Sequence, residues 1–186
     1  MNTAAVQSDW VSVEDYLAAE ERSETRHEYL GGFVYAMSGG TRRHNTLCGN
    51  LYLALRRQVK GGPCQVYMSD VRVNLFWGRD EYYYYPDLVV TCDARDTHPR
   101  FVHHPVLLIE VLSESTRRVD QREKLFAYRT LESLREYVLV EPDRQEVTVF
   151  RRDTEWAPEV VKGESATLSL ASLQCELPLK QVYEGV

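Results

Sequence analysis

Residues 105–112, PVLLIEVL, constrain the fold of this 186-residue chain more than any other stretch. Val106, Leu107, Leu108 and Ile109 run on without alternating between an apolar and a polar face. Such a strand is stable only at the centre of a sheet covered on both sides. Glu110 stands inside it, followed by Val111 and Leu112. A carboxylate there is costly unless it is paired, hydrogen-bonded or holding a cation.

The segment YYYYPDLVV, residues 82–90, raises the same problem with Asp87. The spacing fits two neighbouring strands, and acids near both strand ends would converge on one spot. Like charges that close raise each other's pKa unless a cation lies between them. Hard divalent ions such as Mg²⁺, with Mn²⁺ as a substitute, favour carboxylate oxygens and keep several waters. Either acid alone fits an arginine salt bridge better. Two of them, each in an apolar strand, favour a metal.

The rest of the chain supplies the frame. Ser12 as N-cap and the stripe Val13, Tyr16, Leu17 predict a helix over 12–22. RHEYLGGFVYAMSG reads as a hairpin turning at Gly31-Gly32. Leu47, Leu51, Leu55 and Val59 predict a second helix, starting near Thr41 or His44 and ended by Gly61-Gly62. Strands are expected at Gln65–Leu75, Tyr82–Thr91 and Val106–Leu112, then a helix over 118–131. Strands Glu136–Val140 and Glu146–Arg151 follow, joined by the turn EPDRQE. Residues 152–186 carry weaker signals and are expected to close the fold with a short strand and helix. The order predicts a single α/β (α+β) domain over 1–186, with a central mixed β-sheet flanked by helices.

The third helix adds a cation. Asp120, Lys124 and Tyr128 recur at i, i+4 and i+8, so they share one face. The Ser113–Thr116 turn brings that helix straight back from the Glu110 strand, so Lys124 can reach the acids. There it would orient an attacking water or offset charge on a phosphorane-like transition state. The alternative is a surface Asp120–Lys124 pair worth a few tenths of a kcal/mol.

A formal charge of −6 gives no global field for nucleic acid or anionic lipid, so any such surface must be local. Its candidates are Arg42-Arg43, Arg56-Arg57-Lys60, Arg117-Arg118-Arg122 and Arg151-Arg152, which equally suit solvated faces. Tyr82–Tyr85 could stack bases, although alternation would send half of them to the core. Cys48, Cys64, Cys92 and Cys175 form no CxxC pair and no compact framework, so reduced thiols in a cytoplasmic protein are expected. The first ten residues do not read as a signal peptide, and no apolar run approaches a membrane span.

PD at 86–87, IEVLSEST at 109–116 and D...K...Y at 120, 124 and 128 resemble the PD-(D/E)XK nuclease superfamily, and within it the Uma-type restriction-endonuclease family. RHEYLGGFVYAMSGGTRRH, with a Glu, a glycine hairpin and a His, and EYVLVEPDRQEVTVF are similar to further parts of that family. The resemblance covers about residues 10–155 and leaves 156–186 as a closing segment. It implies a restriction-endonuclease-like fold and a metal-dependent nuclease, with DNA the expected substrate and a homodimer the common assembly. Asp87 and Glu110 match the metal-binding acids, Lys124 the lysine carried on the helix, and Glu28 the upstream glutamate. His44 matches the histidine at the second helix, where capping or a phosphate contact competes with a partly solvated role. The superfamily's usual lysine position, two after the glutamate, is Leu112. That departure leaves open a nuclease-fold module without turnover that binds nucleic acid or a protein. Asp70 reads as a strand-edge charge, and Ser113 as a turn residue.

Overall fold

The computed structural model describes residues 9–37, 39–113 and 117–186. Helices α1 (Val13–Glu20) and α2 (Arg42–Gln58) lie where the apolar spacing puts them, and Ser12 and Thr41 cap their N-termini. Strands β1 (His27–Leu30) and β2 (Phe33–Ala36) form the expected hairpin. Gly31 and Gly32 turn it at φ +57° and +107°, a region that glycine enters without steric cost.

The two long central strands are each divided. Residues 65–75 give β3 (Gln65–Met68) and β4 (Arg72–Trp77), broken where Ser69 takes φ +62°. Residues 80–91 give β5 (Asp80–Tyr84) and β6 (Leu88–Thr91), broken at Pro86-Asp87. The halves belong to different sheets. With β7 (Phe101–Val102), a five-stranded sheet runs β2-β1-β5-β4-β7. The central sheet runs β11-β10-β9-β8-β6-β3, where β8 is Pro105–Val111, β9 Glu136–Val140, β10 Glu146–Arg151 and β11 Pro158–Lys162. It is mixed, as expected: β8 and β9 are parallel and the other pairs antiparallel. The C-terminal segment is richer than one strand and one helix. It adds β11, the hairpin of β12 (Thr167–Leu170) and β13 (Cys175–Pro178), and the short helix α4 (Leu179–Val182).

Strand β8 is buried on both faces, as its sequence requires. Leu107, Ile109 and Val111 join a core with α2, β12, β13 and α4. Leu108 and Leu112 face the other way, into a core with Val73, Leu75 and Tyr84 of the five-stranded sheet and with Ala127 and Tyr128. Beyond that sheet, Tyr16 of α1 packs on Tyr29 and Tyr83. With both faces of the five-stranded sheet covered, Tyr83, Tyr84 and Tyr85 are all buried, and the tyrosine run is mostly core.

The segment expected as one helix over 118–131 is a π-helix (Val119–Lys124) followed by a short α3 (Leu125–Tyr128). It forms the crossover that two parallel neighbours require. Glu114, Ser115 and Thr116, in the quoted IEVLSEST motif and its turn, lie outside the described residues.

The expectation of four reduced cysteines fails for two. Cys64 and Cys92 are disulfide-bonded, while Cys48 and Cys175 are free and buried. The register Gln65↔Thr91 makes Cys64 and Cys92 the next opposed pair across β3 and β6, a proximity that spacing along the chain cannot reveal. A bridge between residues 28 apart removes enough loop entropy from the unfolded chain for about 3.5 kcal/mol of stability. Thermal melts should place the oxidised protein about 10 °C above the reduced one. Equal melting temperatures, or two free thiols by titration of the oxidised protein, would refute the pairing.

Candidate active site

The site forms at one end of the central sheet. Leu88↔Ile109 closes the ladder of β6 and β8 at this end, and Asp87 and Glu110 lie just beyond it. Asp87 Oδ2 accepts the Val111 N–H at 2.7 Å and lies 3.0 Å from His44 Nε2, which α2 supplies. Glu110 is turned into the interior, where its Oε1 accepts from Lys124 Nζ at 3.0 Å and from the Tyr128 hydroxyl at 3.3 Å.

Lys124 is only 4% exposed and is the hub of the cluster. Its Nζ also reaches Glu28 Oε1 at 3.0 Å and Asp120 Oδ1 at 3.4 Å. The Asp120–Lys124 pair is therefore a buried pair at the centre of the molecule, and the surface alternative is excluded. Glu28, on β1, is also held by the Tyr85 N–H at 3.1 Å. Tyr84 lies under the ammonium, 5.7 Å from its ring centroid. The π-helical turn is held by the Tyr137 hydroxyl of β9, which donates to the Asp120 carbonyl at 3.0 Å. Such turns recur at functional positions in helices.

The electrostatics follow from this crowding. Burial pushes the Glu110 carboxyl well up; Lys124 opposes the shift, while Asp120, Asp87 and Glu28 add to it. Burial alone would depress Lys124, but Glu110, Glu28 and Asp120 outweigh it and hold the ammonium well above its ordinary value. Both groups thus favour the protonated form, which marks a surplus of negative charge. Three carboxylates meet one ammonium here, Asp87 adds a fourth negative charge that acts on Glu110, and Asp120 Oδ1 is buried with no hydrogen-bond partner among the described residues. That surplus, on oxygen donors, fits a hard divalent cation.

His44, Cys48 and Asp87 also bring ligand atoms within 4.8 Å of one another. The imidazole lies between the other two, with Nε2 toward Asp87 and Nδ1 3.6 Å from Cys48 Sγ. One ion cannot take all three unless the ring turns, and a thiol is a poor ligand for Mg²⁺. Cys48 was missed in the sequence, although its place four residues after His44 puts both on one helical face. Asp120 was read only as the partner of Lys124, and its role as a fourth acid follows from the fold.

The basic clusters divide. Arg152 donates to the carbonyls of Leu134 and Leu131, and Arg151 pairs with Glu136 and Glu159, so this cluster is structural. Arg117 is bound by Glu141, and Arg43 meets Asp143 at 3.0 Å. Arg42, Arg118 and Arg122 are exposed. Asp70 is an exposed charge 3.4 Å from Arg26, as its sequence suggested. The Ser113 carbonyl accepts from the Arg117 N–H, consistent with a turn. Leu112 is 2% exposed in the core, so the superfamily's usual lysine position holds packing here.

A mixed sheet with paired acids at its end and a lysine on the following crossover defines a nuclease-fold protein of the restriction-endonuclease-like class. A crystal structure described as "a putative nuclease belonging to DUF820", from Anabaena variabilis, shares the fold with a TM-score of 0.76 at 19% identity, covering 93% of this chain and 97% of that one. The model of the Uma2 family, "Putative restriction endonuclease", matches residues 13–180, and the chain belongs to that family. "Uncharacterized protein slr1290" of Synechocystis is 32% identical over 179 residues, 95% of this chain and 93% of its own length. "Uncharacterized protein sll1609" of the same organism is 28% identical over 165 residues, 86% and 92% of the two lengths. Among the described residues, no helix is long and apolar enough to cross a membrane.

Proposed function

We propose that this Uma2-family protein is a divalent-metal-dependent endonuclease that hydrolyses phosphodiester bonds in DNA. Asp87 and Glu110 are its metal ligands, with Mg²⁺ or Mn²⁺ as the ion. The supporting observation is the gathering of three carboxylates around one buried lysine at the end of the central sheet, with the Asp87 charge acting on the same Glu110. A bound divalent ion would supply Lewis acidity to the phosphate and lower the pKa of a coordinated water.

The chain's own residues do the rest. The Val111 N–H fixes Asp87 Oδ2, and the Lys124 and Tyr128 donors fix Glu110 Oε1, so both carboxylates are oriented before any ligand arrives. The Lys124 ammonium offsets negative charge that builds on the phosphate oxygens. Glu28, held by the Tyr85 N–H, keeps the lysine in line. Exposed Arg42 and Arg118, near the starts of α2 and the π-helix, are available for phosphate contacts.

A second reading, a nuclease-fold module without turnover, draws on two observations. Leu112 replaces the usual lysine, and the Lys124 ammonium is already paired with three carboxylates. One assay separates the two. With Mn²⁺ or Mg²⁺, the wild type should cut plasmid DNA, and Asp87→Ala should lower the rate at least about 10³-fold while melting at a similar temperature. Undiminished cleavage by folded Asp87→Ala would remove the assignment, and a wild type inert on DNA and RNA would favour the module.

A further inference from the structure

We infer that His44 is a positioning residue for the metal-binding carboxylate, acting through Asp87 and set in turn by Cys48; this rests on the metal-site reading above. His44 is 20% exposed and Asp87 18% at their side chains, so the pair is sheltered yet borders solvent. Nε2 lies 3.0 Å from Asp87 Oδ2, and an ionised carboxylate can only accept, so Nε2 carries the hydrogen. Nδ1 then faces the Cys48 thiol at 3.6 Å. Sulfur is both a weak donor and a weak acceptor, so this contact is met whichever of the two atoms carries the hydrogen. The Nε2–H bond to Oδ2 and the Nδ1···Sγ contact together hold the ring in one orientation.

The consequence lies in which oxygen is used. His44 from α2 and the Val111 N–H from β8 converge on the same atom, Asp87 Oδ2. Two donors from two elements hold that oxygen in place. Asp87 follows Pro86 in the break between β5 and β6, and the bonds of its side chain set its direction. The helix that carries His44 is well anchored. Thr41 caps it, receiving the His44 N–H at 3.1 Å, and Leu47, Leu51 and Leu55 bury its inner face. Partners that hold ligating carboxylates commonly change metal affinity 10–100-fold when removed.

The test is calorimetric titration of Mn²⁺ into wild type, Asp87→Ala, His44→Ala, His44→Gln and His44→Asn, each with its melting temperature. Gln places an amide N–H near the position of Nε2, whereas Asn is too short to reach Oδ2. Asp87→Ala should abolish binding. His44→Ala and His44→Asn should weaken it about 10–100-fold, and His44→Gln should stay within a few-fold of wild type. A merely structural role predicts that Gln and Asn behave alike, so the comparison holds even if His44→Ala fails to fold. Wild-type affinity in His44→Asn, with binding lost in Asp87→Ala, overturns the positioning role alone. Unchanged binding in Asp87→Ala, or none in wild type, overturns the metal-site reading and this inference with it.

Discussion

Glu110→Gln should abolish metal-dependent cleavage, by at least about 10³-fold, yet leave the metal-free protein as stable as wild type or more so. The first half follows from the proposed metal site, where a neutral group would replace a charged ligand. The second follows from the direction of its pKa. Burial first, and then the neighbouring Asp120, Asp87 and Glu28, hold the Glu110 carboxyl above its unfolded value despite Lys124. A carboxyl with a raised folded pKa keeps its proton in the native state after the unfolded chain has released it. Stability is therefore fully present below the unfolded pKa of about 4.3 and declines as pH rises through the folded value. Glutamine resembles the protonated form at every pH and removes that part of the decline. Melting temperatures of both proteins across pH 4–8 in a chelator, and again with Mn²⁺, test this. Wild type should gain more from the ion than Glu110→Gln. A variant that melts well below wild type in chelator at pH 8 would contradict the charge argument.

Lys124→Met carries the largest expected stability effect. It keeps the aliphatic volume and removes the ammonium from Glu28, Glu110 and Asp120, leaving buried carboxylates with no cation among them. Removing one member of a buried ion cluster costs roughly 3–5 kcal/mol, or about 10–15 °C in a chain of this size. Two conditions should recover part of the loss. Acidification protonates the carboxylates, and Mn²⁺ replaces the missing positive charge. Chemical denaturation at pH 5 and pH 8, with and without Mn²⁺, measures both. A loss independent of pH and ion would mean that the lysine contributes by packing alone.

The cluster of acids with its lysine was legible because cost made it so. An acid in PVLLIEVL and another in YYYYPDLVV have few tolerable uses, and a lysine on the following helix gives them a partner. The leucine repeat of α2 and the Gly31-Gly32 hairpin were legible because periodicity and turn chemistry are local. What escaped is what register and layering decide. Nothing local in Ser69 announces a left-handed residue dividing β3 from β4. The pairing of Cys64 with Cys92 depends on how β3 meets β6. Tyr83, Tyr84 and Tyr85 are buried together because α1 covers one face of the five-stranded sheet and the second core covers the other. Alternation assumes one wet face, and here there is none.

The parallel pairing of β8 with β9 also has a consequence for the order of assembly. Lys124 belongs to the crossover between those strands, and its π-helical turn is tied down by Tyr137, a residue of β9. During synthesis from the N-terminus, the acids of β6 and β8 emerge before the strand that fixes their counter-charge. Closing a parallel ladder is also slow, because loop entropy must be overcome before its contacts form. The acidic centre thus waits on β9, because the ladder that joins β9 to β8 also brings Tyr137 to the turn that carries Lys124.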